Sequence, residues 1–175
     1  MADSEIIELL LCGGESCEDL GSSCTEGLLH QAAADLEAYC LKVVVSNRCT
    51  QFKERALAGM RQLHDRVDFT GPTAGLVSAL EAFPGRPLLL LSSACYARAA
   101  QIAEQLLSAA DDDAVVVCCE YADGGVEPLA ALIRPGFAEA LEASKEKGCP
   151  DIVRALQLVP ADVVRRVGPL PALRD

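Results

Sequence analysis

The sequence predicts a three-layer α/β/α sandwich built on a mostly parallel, Rossmann-like sheet. Three observations carry that expectation. Short apolar or β-branched runs alternate with longer Ala/Leu-rich periodic segments along most of the chain. Two of those runs, PLLLLSS (87–93) and AVVVCCE (114–120), are continuous apolar stretches, as expected of strands covered on both faces. The connections between most elements are too long for hairpins, so parallel pairing with right-handed crossovers is expected.

The elements follow in order. IIELLL (6–11) reads as a strand. GLLHQAAADLEAYC (27–40) reads as a helix, with Leu28, Leu29, Ala32, Leu36 and Tyr39 near one face. KVVVSN (42–47) is short and β-branched, hence a strand. Residues 50–64 read as a helix opened by Thr50 as N-cap. GPTAGLVSALEAF (71–83) begins at a Gly-Pro breaker and continues as a helix. Residues 87–93 form the next strand and residues 96–110 a helix. After the strand at 114–120 comes an Asp123-Gly124-Gly125 turn. VEPLAALI (126–133) then reads as a strand whose Pro128 suggests an edge or entry position. Segments 136–147 and 150–158 read as helices, and Pro169 and Pro171 break up the tail. In such sheets ligands bind beyond the carboxyl ends of the strands. That rule selects the loops starting at Cys12, Ser46 and Ser92, and the turn after Glu120.

Composition bounds the function. A chain of 175 residues is read as one domain, residues 1–175, able to bury about two-thirds of its unfolded surface. Aromatics are 4% and Trp is absent, so the core is expected to be Leu, Val, Ile and Ala. A formal net charge of -11 disfavours nucleic-acid backbones and anionic membranes as partners. No apolar run approaches the roughly 20 residues needed to span a bilayer. The start, MADSEIIELL, lacks a basic n-region, and the expected location is cytoplasmic. Nine cysteines are then expected to stay mostly reduced, as small apolar filler and loop thiols. Cys12, Cys17 and Cys24 crowd the first loop, which leaves a thiol or metal role open there. Cys95 is the best-placed thiol at a strand's carboxyl end, whereas Cys118 and Cys119 read as packing residues. His64 and Asp65 read as a helix end, and Asp111-Asp112-Asp113 as a solvated turn.

Several motifs in order resemble the molybdenum cofactor guanylyltransferase family, within the wider nucleotidyltransferases that use NTPs. Leu11-Cys12-Gly13-Gly14-x-Ser16 after the first strand is similar to the family's L-A-G-G-x-S opening, and Gly27-Leu28-Leu29 sits where its G-K-P-L begins a helix. Val43-Val44-Val45-Ser46-Asn47-Arg48 is similar to the strand that ends in an Asn near the guanine base. Asp68, followed by Gly71-Pro72-Thr73-Ala74-Gly75-Leu76, resembles D…G-P-L-A-G-L, the most specific match. VEPLAAL (126–132) is similar to the part that receives the molybdopterin. The family's closing N-x-N-T-P-E-D segment has no counterpart.

The resemblance implies a sheet of the nucleotide-diphospho-sugar transferase type and transfer of a nucleotidyl group from GTP to molybdopterin. It implies a nucleotide site at Cys12, Gly13, Gly14, Ser16, Asn47, Asp68, Gly71, Pro72 and Gly75. It also implies Mg²⁺, with Asp68 as its remaining carboxylate, and molybdoenzyme-maturation proteins as partners. Such chemistry needs backbone N–H groups around the phosphates, a cation to neutralise them, and a carboxylate to hold Mg²⁺. The glycines supply the first. The family's loop carries R-M-G and then a Lys, where this chain reads Cys17-Glu18-Asp19-Leu20-Gly21-Ser22-Ser23-Cys24-Thr25-Glu26, with no cation. The family's C-D-x-P motif falls at Ser93-Ala94-Cys95-Tyr96, so Ala94 takes the Asp position. The alternative is therefore a catalytically inactive relative that binds a nucleotide, a pterin or a protein.

Overall fold

A computed structural model describes residues 5–12, 23–47, 59–66, 69–148 and 151–170. Among the described residues, seven strands form one sheet in the order β3-β2-β1-β4-β6-β5-β7. They are β1 (Ile7–Leu11), β2 (Lys42–Asn47), β3 (Arg61–His64), β4 (Leu88–Ser92), β5 (Val116–Tyr121), β6 (Val126–Ile133) and β7 (Val164–Leu170). Among the described residues, five α-helices flank it: α1 (Ser23–Leu36), α2 (Gly71–Ala82), α3 (Ala99–Ser108), α4 (Phe137–Glu146) and α5 (Ile152–Leu158). A 3-10 segment at Ser93–Arg98 links β4 to α3. All strands but β6 share one direction. The expected three-layer, mostly parallel sandwich is what forms.

Two cores follow from the alternation of side chains along each strand. Ile6, Leu10 and Cys12 face α1, α3 and the 3-10 segment, with Leu29, Leu36, Tyr96, Ile102 and Leu106. Ile7, Leu9 and Leu11 face the other layer, with Leu76, Ala79, Phe137, Leu141 and Ile152. The aliphatic composition suits this arrangement, since four consecutive leucines of β4, Leu88–Leu91, are fully buried, two against each layer.

The structure departs from the sequence expectations at four places. First, residues 61–64 are the edge strand β3, paired parallel with β2, and not the end of a helix. Gly59 has φ +82°, which stops any helix before Met60, and the polar run Arg61-Gln62-Leu63-His64 suits an exposed edge. The Thr50 cap lies outside the described residues. Second, α1 begins a turn earlier, at Ser23, and ends at Leu36, whose carbonyl receives the N–H of both Tyr39 and Cys40.

Third, β5 and β6 are joined by a hairpin after all. Tyr121 N–H reaches the Gly125 carbonyl at 2.7 Å, Asp123 Oδ1 accepts from Gly125 N–H at 2.9 Å, and Gly124 has φ +82°. Asp-Gly at that position is a strong hairpin signal, because the turn needs a left-handed residue. As a result β6 lies inside the sheet, between β4 and β5, although it contains Pro128. The register explains how. Cys118 opposes Ala131 and Cys119 opposes Glu127, so residues 128–130 bulge away from β5, and pairing with β4 starts only at Ala130. The proline's missing N–H falls where no ladder bond is made.

Fourth, the tail forms a strand. β7 runs parallel to β5 and closes that edge of the sheet, with Pro169 inside it. The acidic run 111–113 anchors its start. Asp111 Oδ1 accepts from Ala114 N–H at 2.8 Å and Oδ2 from Arg165 Nε at 2.7 Å, and the hydrogen bond from Arg165 holds this carboxyl below its usual range.

Candidate functional site

Strands β1, β2 and β4 stop at the same level, since Leu11 lies opposite Ser46 on one side and Ser92 on the other. That register brings Cys12, Asn47 and the Ser92–Tyr96 segment to one carboxyl edge. His64, the last residue of β3, and Asp65 after it join them, with Asn47 paired to His64. The reversed β6 starts at the same edge, where the β5–β6 turn ends. The strand ends from which the four selected loops start therefore share one edge of the sheet.

Cys12 closes β1. Its N–H reaches the Ser46 carbonyl at 3.1 Å, and its thiol lies 3.1 Å from Tyr96 Oη, which donates to the Leu11 carbonyl at 3.0 Å. Tyr96 thus clamps the last residues of β1 from the 3-10 segment, just before the glycine pair. Tyr96→Phe is expected to cost about 1–2 kcal/mol, read from urea unfolding, because it removes a buried hydroxyl from two partners at once. Gly13, Gly14 and Ser16 lie outside the described residues, as does Asp68.

Asn47 and Ser46 face opposite layers. Asn47 is buried, and its amide donates to Gln62 Oε1 at 3.2 Å while its carbonyl accepts from Asp65 N–H at 3.0 Å. Ser46 donates from its hydroxyl to Asp65 Oδ1. These bonds tie the end of β2 to β3 and orient Asp65. On the same side, α2 descends from the Gly71-Pro72 turn. Gly71 has φ +60°, a conformation that favours glycine, and Pro72 occupies the first turn, where a missing N–H costs nothing. Thr73 is buried and its hydroxyl accepts from Ile152 N–H at 3.2 Å, which links α2 to α5.

Gly75 has a different role from its neighbours. A Cβ there would collide with Ser46 Oγ and lie 2.9 Å from Leu11 Cδ2. The missing side chain is what lets α2 sit directly on the ends of β1 and β2. Ahead of the turn, buried Phe69 has Arg66 and Lys145 stacked near its ring, 5.7 and 5.5 Å from the centroid, which joins this segment to α4.

The described residues do not fit the Mg²⁺ that the resemblance implies at the end of β4. Ser92, Ser93 and exposed Ala94 offer hydroxyls and a methyl, but no carboxylate. Elsewhere at this edge, Asp65 Oδ1 accepts a hydrogen bond from the Ser46 hydroxyl, and Glu127 accepts from Tyr121 Oη and from Leu129 N–H. Among the described residues no group of three His, Cys, Asp or Glu side chains converges. Burial disfavours the reactive thiolate form of the thiols here. Burial pushes Cys95 up to about 11 against a weak hydrogen bond with Ser92, and burial holds Cys118 at about 11 and Cys119 at about 12. Cys12 is buried; the side chains of Cys17 and Cys24 lie outside the described residues. Glu127 was not singled out in the sequence, where only its place before Pro128 marked it; its role depends on the hairpin.

Together these features define the class: an α/β sheet whose ligand edge is framed by strand-end loops and a glycine-rich helix start, the arrangement of nucleotide-binding folds. A sequence model of the MobA-like NTP transferase domain matches residues 22–161, and the chain belongs to that family. It is 28% identical, over 94% of its length, to the molybdenum cofactor biosynthesis bifunctional protein of Synechocystis sp.. The chain spans about half the length of that relative, 49%. Among solved structures it is similar to molybdopterin-guanine dinucleotide biosynthesis protein A from Archaeoglobus fulgidus, with a TM-score of 0.66, 18% identity, and coverage of 92% of this chain and 82% of the other. It is also similar to 2-C-methyl-D-erythritol 4-phosphate cytidylyltransferase from Thermus thermophilus, with a TM-score of 0.64, 16% identity, and coverage of 91% and 87%. Rv0371C from Mycobacterium tuberculosis, solved in complex with manganese, matches with a TM-score of 0.62 and 14% identity over 95% of this chain and 88% of the other. These likenesses support the fold, a nucleotide-diphospho-sugar transferase type of sheet. No helix among the described residues is long and apolar enough to cross a membrane.

Proposed function

We propose that residues 1–175 act as one nucleotidyltransferase domain in molybdenum cofactor biosynthesis, transferring a nucleotidyl group from GTP to molybdopterin. The observation that carries this reading is the shared carboxyl edge, where β1, β2 and β4 end level with one another and the glycine-rich start of α2, Gly71–Gly75, packs on the ends of β1 and β2. On this reading the glycine loops approach the phosphates, Asn47 lies nearest the base, and the β6 start faces the pterin acceptor. Asp68 is the carboxylate left for a divalent cation. Release of pyrophosphate from GTP on addition of Mg²⁺ and molybdopterin is the direct assay.

One observation favours a second reading, a binding module without transfer: Ala94 stands where the family's metal carboxylate falls. The two readings separate in one comparison. If the parent chain turns over, the transfer reading stands. If it binds GTP but releases no pyrophosphate, the binding reading replaces it. Ala94 is exposed, so Ala94→Asp adds a carboxylate with little effect on folding. It is expected to tighten Mg²⁺-dependent GTP binding at least tenfold in calorimetry. Equal affinity with and without the substitution would show that the end of β4 does not face the phosphates.

A further inference from the structure

At the opposite end of β1, the core holds a carboxyl that the ligand edge does not use. Glu8 is fully buried within the central strand. Its Oε1 is the buried side-chain N or O atom among the described residues that finds no hydrogen-bond partner. Its Oε2 faces the thiol of Cys40, 3.8 Å away, just before β2. Cys40 in turn lines a cavity of about 300 Å³ between α1 and the starts of β2 and β3, with Ala33, Glu37, Lys42, Met60 and Arg61. An apolar residue at position 8 would suit the surrounding core, and a carboxyl left with an orphaned oxygen there needs a physical reason.

We propose that Cys40 and Glu8 form a binding site for a single borderline-soft divalent cation of the Zn²⁺ class. The geometry suits it. A tetrahedral cation bonded to sulfur at about 2.3 Å and to oxygen at about 2.1 Å holds those two atoms roughly 3.6 Å apart. The charges suit it too: a thiolate and a carboxylate neutralise a divalent ion, so the bound cluster carries no net charge in a buried position. The cavity gives access from solvent and room for water in the remaining coordination positions. Met60, on its wall, brings a thioether.

Burial disfavours the charged form of both ligands in the metal-free protein. Burial raises Glu8 well above the usual carboxylate range, and burial and the neighbouring Glu8 raise Cys40 above the usual thiol range. Cation binding is therefore an exchange, in which S–Zn and O–Zn bonds form while one proton leaves the thiol and one leaves the carboxyl. While both groups stay protonated, affinity is expected to rise about 100-fold per pH unit. Besides Cys40, the Cys95 thiol also feels the Glu8 charge.

The test is calorimetric titration of the reduced full chain with Zn²⁺ in buffers of different ionisation enthalpy. A Cys17→Ser/Cys24→Ser background removes two of the first loop's three thiols as competing ligands. One equivalent bound with release of about two protons is expected. Glu8→Gln, which mimics the neutral carboxyl and keeps the fold, is expected to weaken binding at least tenfold and to release fewer protons. Cys40→Ser is expected to weaken it similarly and to abolish the sulfur-to-metal charge-transfer band of the Co²⁺-loaded protein. Binding of unchanged affinity and proton count in Glu8→Gln, or a Co²⁺ band that survives Cys40→Ser, would overturn the assignment. So would the absence of any stoichiometric Zn²⁺ binding by the parent chain.

Discussion

Gly75→Ala is expected to destabilise the fold by about 3 kcal/mol, at the upper end of what one added methyl costs in a packed core. For a chain of this size that lowers the thermal midpoint by roughly 6–12 °C. The reason is geometric. The new Cβ would meet Ser46 Oγ head-on, with Leu11 Cδ2 at 2.9 Å and Ser46 Cβ at 3.0 Å, so α2 must lift away from β1 and β2. Ser46 cannot rotate away freely, because its hydroxyl is bonded to Asp65. Adding Ser46→Ala to the Gly75→Ala protein is therefore expected to recover part of the loss, even though Ser46→Ala alone removes a hydrogen bond. Denaturant unfolding of the four proteins checks this as a double-mutant cycle. A Gly75→Ala protein within about 0.5 kcal/mol of the parent would show that the helix does not pack this closely.

The same contact shows what was legible in the sequence. GPTAGL reads as a glycine motif near a nucleotide, and the structure puts its first glycine at an exposed left-handed turn. The second serves helix-on-strand packing, which depends on Ser46 and Leu11, residues far away in the chain. β1, β2, β4 and α2 were visible because each buries its apolar run where its own pattern says it should. β3 was not, since a polar four-residue edge strand has no period of its own and is held by β2. β7 was hidden by its prolines and by a partner, β5, that lies more than forty residues earlier. Asp123-Gly124 carries a hairpin signal, whereas the long connections elsewhere favour parallel pairing and Pro128 favours an edge. Only the two-sided register shows that a bulge lets a proline sit inside the sheet.

Glu8→Gln is expected to stabilise the metal-free, chelator-treated protein at pH 8, relative to the difference at pH 4, by about 1–3 kcal/mol, because the unfolded carboxyl ionises freely there while burial disfavours ionisation in the fold. The sign follows from burial, which raises the native carboxyl, with the hydrogen bond from Cys40 opposing it. A group whose folded value is raised contributes stability that is fully present below its unfolded value, about 4.3, and lost as pH rises through the folded value. Glutamine has no proton to lose but still accepts from Cys40. The variant and the parent should therefore match near pH 4 and diverge as the solution becomes alkaline. Urea midpoints measured across that range decide it. A constant difference at every pH would mean that Glu8 is ionised, or solvated, in the native state.

The late strand β7 has a consequence for the chain before it is complete. β5 carries Val116-Val117-Cys118-Cys119, four buried residues in a row, and one whole side of its ladder is filled only by β7. Until residues 164–170 arrive, that apolar strand is an open edge of the kind that recruits other chains into aggregates. β7 replaces it at the rim with Arg165, Arg166 and Pro169, two charges and a residue that cannot donate to a further strand. The segment that looks least structured in the sequence is thus the gatekeeper that keeps a nascent sheet soluble.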